Sequence, residues 1–139
     1  MTIIISIRPK FCKEIYLGQK RVELRRKIGY KFTPGEKIYI YTSKSGLGIT
    51  GEMIISSVQK MPVPEIEKAY LSAARIGKDE FYSYYQNCEN GFVISLANVI
   101  EYKAPITLEE LKLIGFRPPQ SFMYPGDILE IYIESKICT

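Results

Sequence analysis

The order of its strand-type segments restricts the fold of this chain more than any other feature: they open the sequence, recur in blocks, and are interrupted by helical stretches only at irregular intervals. Thr2 to Arg8 is an isoleucine-rich run closed by Pro9, a residue suited to the first turn of a helix. Phe11, Cys12, Ile15 and Tyr16 then repeat at helical spacing up to a stop at Gly18. Lys20 to Lys27 reads as a strand, with Val22 and Leu24 on one face and Arg21, Glu23 and Arg25 on the other. Pro34-Gly35 marks a turn, and Lys37 to Ser43 alternates Ile38 and Ile40 with Tyr39 and Tyr41. A Gly-rich connection leads into another strand, Ile49 to Lys60, where Gly51 allows a bulge. The middle is helical, from Pro64 to near Gly77 and again from Asp79 to Tyr85. Gly91 to Tyr102 returns to strand pattern, Thr107-x-x-Glu110 forms a capping box for a short helix ending at Gly115, and Asp127 to Ser135 is predicted as a closing strand.

Strands at both ends without regular strand-helix alternation predict an α+β mixed barrel rather than a doubly wound sheet. Gly46-x-Gly48-x-x-Gly51 matches the dinucleotide fingerprint by letters alone, because a strand follows where a helix is required. The 139 residues fit a single domain, 1–139, and 46% hydrophobic with 24% charged residues is a composition that folds throughout. No apolar run approaches the ~20 residues needed to cross a bilayer, and no signal peptide is indicated, so a cytoplasmic protein without a membrane partner is expected. Cys12, Cys88 and Cys138 lack CxxC spacing and do not suggest a disulfide framework. The chain has no histidine, which removes Ser-His-Asp and Cys-His triads, His-ligated zinc and imidazole acid/base chemistry. No metal or cofactor is expected.

Charge is distributed unevenly. The first 50 residues hold eleven lysines and arginines against three acids (Glu14, Glu23, Glu36), a local net of +8, whereas the remaining 89 carry a net of −4. Such a basic half suits an anionic partner, nucleic acid being the commonest, although a solvated face is the plainer alternative.

Several motifs together resemble a known family. Ile5-Ser6-Ile7-Arg8-Pro9, the helix ending in Gly18, and Gly18-x-Lys20-x-x-Glu23-x-Arg25 are similar to the N-terminal signature of ASCH domains, which group with PUA, YTH and EVE domains. Tyr39-x-Tyr41-Thr42-Ser43, Gly51-Glu52, Gly77-Lys78-Asp79-Glu80-Phe81, Pro105-Ile106-x-Leu108 and Pro119-Gln120-Ser121-Phe122 extend the similarity in collinear order. The resemblance implies a PUA-like mixed β-barrel of about six strands, with two to four short helices packed at its side and ends. It also implies a cleft beside the first helix lined by Lys20, Glu23 and Arg25. ASCH domains are regarded as nucleic-acid-associated modules, RNA more than DNA, and some are hydrolases.

The residue chemistry fits a ligand cleft. Glu23 and Arg25 emerge ~7 Å apart on one strand face, so a carboxylate can read a base edge while the guanidinium fork holds phosphate or carbonyl. Lys20 adds a point charge, and the plainer alternative is a surface salt bridge contributing little. Tyr41 and Thr42 can supply stacking and a hydroxyl, or ordinary barrel packing. Gln120 and Ser121, after Pro118-Pro119, can present an amide and a hydroxyl, or Ser121 can cap a helical turn with Phe122 in the core. Arg8, Lys10, Arg21, Arg26 and Lys44 would supply the wider attraction for nucleic acid. The alternative function is hydrolysis, of RNA or of a modified nucleoside, without a metal and with Lys20 in the active site. The resemblance extends to bacterial acetylcytidine amidohydrolases through Lys20, but Glu23 stands where those enzymes have threonine. Their later glutamate falls near Ala74, with Glu67 or Glu80 as displaced candidates.

Overall fold

The computed structural model describes residues 2–137. Six strands form one curled sheet: β1 (Thr2–Ile7), β2 (Val22–Arg25), β3 (Lys37–Thr42), β4 (Gly48–Pro62), β5 (Asn90–Ile106) and β6 (Phe122–Met123). Their order across the sheet is β2-β5-β4-β3-β1-β6, with β1 and β3 parallel and the other neighbours antiparallel. Five helices accompany them: α1 (Pro9–Tyr16), α2 (Val63–Ala74), α3 (Lys78–Tyr84), α4 (Leu108–Leu113) and α5 (Asp127–Ile137). The result is an α+β half-barrel, of the class expected, with one helix more than the upper expected number.

The sheet curls because its two longest strands are irregular. The β4–β5 ladder shifts register between Ile49 and Gly51, Glu52 and Ile54, and Ile55 and Ser57, and each shift bends and twists the pair. Gly51 is the expected bulge position, and a Cβ there would lie 2.4 Å from the Ile100 carbonyl oxygen and 2.5 Å from the Tyr16 hydroxyl. Gly48 opens β4 at φ +95°, against the Ile106 carbonyl, so the glycine-rich letters serve a tight strand entry.

Both faces of the central strands are covered, which explains their unbroken apolar character. Ile3, Ile5, Ile7, Ile38 and Ile40 meet Cys12 and Ile15 of α1 in one cluster. Ile4, Tyr39, Tyr41 and Ile49 face the opposite way, against Leu111, Phe116 and Ile133. A third cluster joins Val22 and Leu24 of β2 to Ile66 and Ala74 of α2 and to Phe81 and Tyr85.

The largest correction concerns the C-terminal segment, predicted as a closing strand over Asp127 to Ser135 and found as helix α5. Leu129 and Ile133, four residues apart, turn with Tyr132 toward the second cluster, while Ile128 and Ile131 are exposed. Asp127 and Glu130 at its start and Lys136 near its end suit the helix dipole, and isoleucine-rich composition had masked that pattern. The final strand is instead the two-residue β6, antiparallel to β1. Elsewhere the capping box of α4 forms as expected, Thr107 and Glu110 exchanging both hydrogen bonds. No described helix is long and apolar enough to cross a membrane. Cys138 lies outside the described residues.

Candidate functional site at the seam of the barrel

Gly18, at φ +78°, ends α1 and folds the chain back so that the amides of Gln19 and Lys20 both donate to the Glu14 carbonyl. That reversal delivers Lys20 to the C-terminal end of α2. Its ammonium donates to the Ala74 carbonyl at 2.8 Å, one of the helix's unpaired terminal acceptors at the negative end of its dipole. Lys20 Nζ also lies 3.4 Å from Glu23 Oε1 and 4.8 Å from the centre of the Phe11 ring.

Strand β2 is one edge of the sheet, and β6 with β1 forms the other. Arg25 bridges the two. Its Nη1 donates to Ser121 Oγ at 2.9 Å and its Nη2 to the Ser6 carbonyl at 3.1 Å, while Nε donates to Glu23 Oε2 at 2.9 Å. One side chain therefore joins edges that have no backbone ladder between them. Ser6 reinforces the junction, donating from Oγ to the Pro119 carbonyl and from its amide to the Ser121 carbonyl.

Expected to line a cleft or, on the plainer alternative, to form a surface salt bridge, Lys20, Glu23 and Arg25 are buried, with side-chain exposures of 4%, 10% and 11%. Burial alone would raise the Glu23 carboxyl, but Arg25 and then Lys20, by charge and hydrogen bonding, outweigh it and hold the group below its ordinary value. Glu23 is ionised and clamped between two cations.

A cleft of about 160 Å³ opens over this triad. Phe11 of α1 and Tyr84 of α3 contribute aromatic walls, and Arg8, Ile76 and Glu80 stand at its margin. The hydroxyl of Ser121 accepts from Arg25, and its own proton has no acceptor among the described residues. Lys20 uses two of its three donors on Ala74 and Glu23.

The other residues singled out from sequence are scattered. Arg8 pairs with Glu80, and Lys10 lies 3.8 Å from the same carboxylate, so part of the basic bias is neutralised locally. Arg26 lies over the Tyr84 ring at 4.9 Å, beside the cleft. Arg21 is exposed next to the α2 terminus, its amide donating to the Ala73 carbonyl. Gln120 is exposed and does not line the cleft, and Ser121 sits in a bend before β6 rather than at a helix cap. Ala74 does reach the cleft, as a backbone acceptor, and Glu80 lines it, whereas Glu67 accepts from Tyr82 elsewhere. Tyr41 is buried against Phe116 in the second cluster, on the sheet face opposite Ile38 and Ile40. Phe11 and Tyr84 are cleft walls that helical spacing alone does not reveal, because segments remote in sequence converge on them.

Thr42 belongs to a different feature. A second hollow, of about 250 Å³, borders another face of α1 and includes Tyr16, Thr42, Leu47, Thr50 and Glu101, with Lys44 on the adjoining turn. At its floor Cys12 donates to the Ile7 carbonyl and Thr42 to Cys12 Sγ, so Thr50 donates to Thr42 at 2.8 Å and Tyr16 to Thr50 at 2.6 Å. Burial pushes the Cys12 thiol up to about 11. Alkylation of the native protein at pH 8 is therefore expected at half-buried Cys88 and not at Cys12, which should react only after denaturation. Peptide mapping by mass spectrometry checks this, and rapid native labelling of Cys12 would contradict it.

Comparison with known proteins agrees with the geometry. The model of a family described as "Domain of unknown function (DUF365)" matches residues 1–116. A protein of Zymomonas mobilis named ASCH domain-containing ribonuclease is 28% identical over 123 residues, covering 87% of this chain and 82% of the relative. The crystal structure of ASCH from Zymomonas mobilis superposes with a TM-score of 0.88 at 26% identity, over 96% of this chain and 94% of that one. Human THYN1, crystallised with DNA containing 5-methylcytosine, shares the fold at a TM-score of 0.61 and 14% identity, over 99% and 98% of the two chains. By its sequence match and its half-barrel, the chain belongs to the DUF365 family and is an ASCH domain with a PUA-like fold.

Proposed function

We propose that this protein binds single-stranded nucleic acid, RNA in preference to DNA, with one base or nucleotide held in the seam cleft. The observation that carries the reading is the cleft itself: two buried cations, an ionised carboxylate and two aromatic walls meet within one small opening. At about 160 Å³ it is half the ~300 Å³ at which drug-sized pockets begin, so it suits a single heterocycle rather than several. Lys20 and Arg25 face an anion or carbonyl, and the aromatic rings offer stacking. The ribonuclease name of the bacterial relative and the DNA in the human neighbour's crystal support the same class of ligand.

Binding to a short labelled oligonucleotide is expected to weaken steeply as salt rises, and RNA is expected to bind more tightly than DNA of the same sequence. A salt titration by fluorescence anisotropy measures both. Absence of binding at low salt to every RNA and DNA sequence tested would sink the proposal.

A second reading, metal-independent cleavage of RNA, is favoured by the relative's name alone. Lys20 and Arg25 can stabilise phosphoryl charge, but Glu23 is a poor base while two cations hold its carboxylate below the ordinary value. Incubation of labelled RNA with the protein and excess chelator separates the readings: intact RNA supports binding alone, and cleavage abolished by Lys20→Ala supports the enzyme.

A further inference from the structure

The connection from β2 to β3 leaves the cleft carrying Arg26, Lys27, Tyr30 and Lys31. Tyr30 is 79% exposed, unusual for so large a ring, yet it is not loose. It stands edge-on to Tyr124, ring centres 5.3 Å apart and planes at 70°. Lys31 Nζ lies 5.7 Å from the Tyr30 ring and 4.8 Å from that of Tyr124. Tyr124 in turn accepts a hydrogen bond from the Lys31 amide at 3.1 Å, and its hydroxyl crowds Gly29 so closely that a Cβ there would be 1.9 Å away. Behind it, Tyr124 rests on Phe122, which is stacked edge-on against buried Phe32. A braced column of rings thus runs from the core to one exposed tyrosine, with a lysine beside it.

We infer that Tyr30, Tyr124 and Lys31 form a second nucleotide subsite, which stacks a base about one to three positions along the strand from the one in the cleft while Lys31 and Arg26 attract the intervening phosphates. The inference rests on the nucleic-acid reading above and names the path the strand takes. Spacing supports it: Ser121, bonded to Arg25 in the cleft, is three residues from Tyr124 across β6, about 10 Å of extended chain at ~3.3 Å per residue. That distance is the rise of about three stacked nucleotides at ~3.4 Å each, and of fewer when the strand is splayed. A single strand therefore reaches both subsites without looping. Because every base has a π-face, this platform adds affinity with little sequence preference, leaving discrimination to the cleft.

The test uses the full chain and a six-residue oligoadenylate RNA carrying an internal 2-aminopurine. Tyr30→Ala is expected to weaken binding roughly 10-fold or more and to abolish the fluorescence quenching that stacking produces, whereas Tyr30→Phe, which keeps the ring, should bind and quench as the unaltered protein does. Thermal melts of both variants should match the unaltered protein, since the ring is exposed. Equal binding and quenching by Tyr30→Ala would overturn the platform while leaving the cleft proposal intact. Failure of the unaltered protein to bind the RNA at low salt would overturn both.

Discussion

Replacing Glu23 with alanine is expected to lower the folding free energy by about 3–5 kcal/mol, the cost of leaving buried charge uncompensated. The carboxylate lies 3.4 Å from Lys20 Nζ and 2.8 Å from Arg25 Nη2, and both cations are buried. Without it the two positive charges face each other across a space that water reaches poorly. Glu23→Gln keeps the shape, removes the charge and should lose a comparable amount. Because the folded-state group titrates below its ordinary value of 4.5, its contribution is complete above that pH and disappears as pH falls below it through the folded value. Urea unfolding of the unaltered protein and of both variants between pH 3 and pH 8 tests this. The gap to Glu23→Gln should be full at pH 7 and shrink in acid, and a difference below 1 kcal/mol at pH 7 would show that the triad behaves as an exposed pair.

Arg25→Ala is expected to act on both stability and binding. Its guanidinium holds Glu23, Ser6 and Ser121 together, so its loss opens the seam and removes the cation that ligand phosphate or carbonyl would meet. Affinity for a single-stranded oligonucleotide should fall about 10- to 100-fold, and the slope of log affinity against log salt should decrease by about one. Arg25→Lys should not restore it, because an ammonium cannot span three partners in a fork geometry. Anisotropy titrations across salt, with urea melts alongside, decide the matter. A variant that binds like the unaltered protein would move the ligand site away from the seam.

Much of the fold could be read from local chemistry. Pro9 at the start of α1, the turn at Gly18, the capping box of Thr107 and Glu110, and the bulge at Gly51 each act through their own or adjacent backbone, and each appears where the residues indicated. The signal failed at α5, where five isoleucine and leucine positions within eleven residues support a strand pattern and a helix pattern equally until tertiary packing selects Leu129 and Ile133. At the site, spacing revealed that Glu23 and Arg25 share a face but not that the face is buried. Burial depends on Ala74, Ser6 and Ser121, which arrive from other parts of the chain. The same limit applied to Tyr41, whose neighbour Phe116 is 75 positions away, and to the hydroxyl ladder from Tyr16 to Cys12, which unites three separate segments.

The bridge at the seam also sets a schedule for synthesis. Arg25 and Ser121 are 96 residues apart, and at roughly 5–20 residues per second a ribosome needs about 5–20 s to supply the second after the first. Glu80, the partner of Arg8, is likewise delayed by 72 residues. During that interval the nascent chain presents the +8 charge of its first 50 residues with neither the distant acid nor the completed cleft. The growing polypeptide is therefore a net polycation, its positive charge less balanced than in the finished fold, until the distant acid and the far edge of the seam have been made.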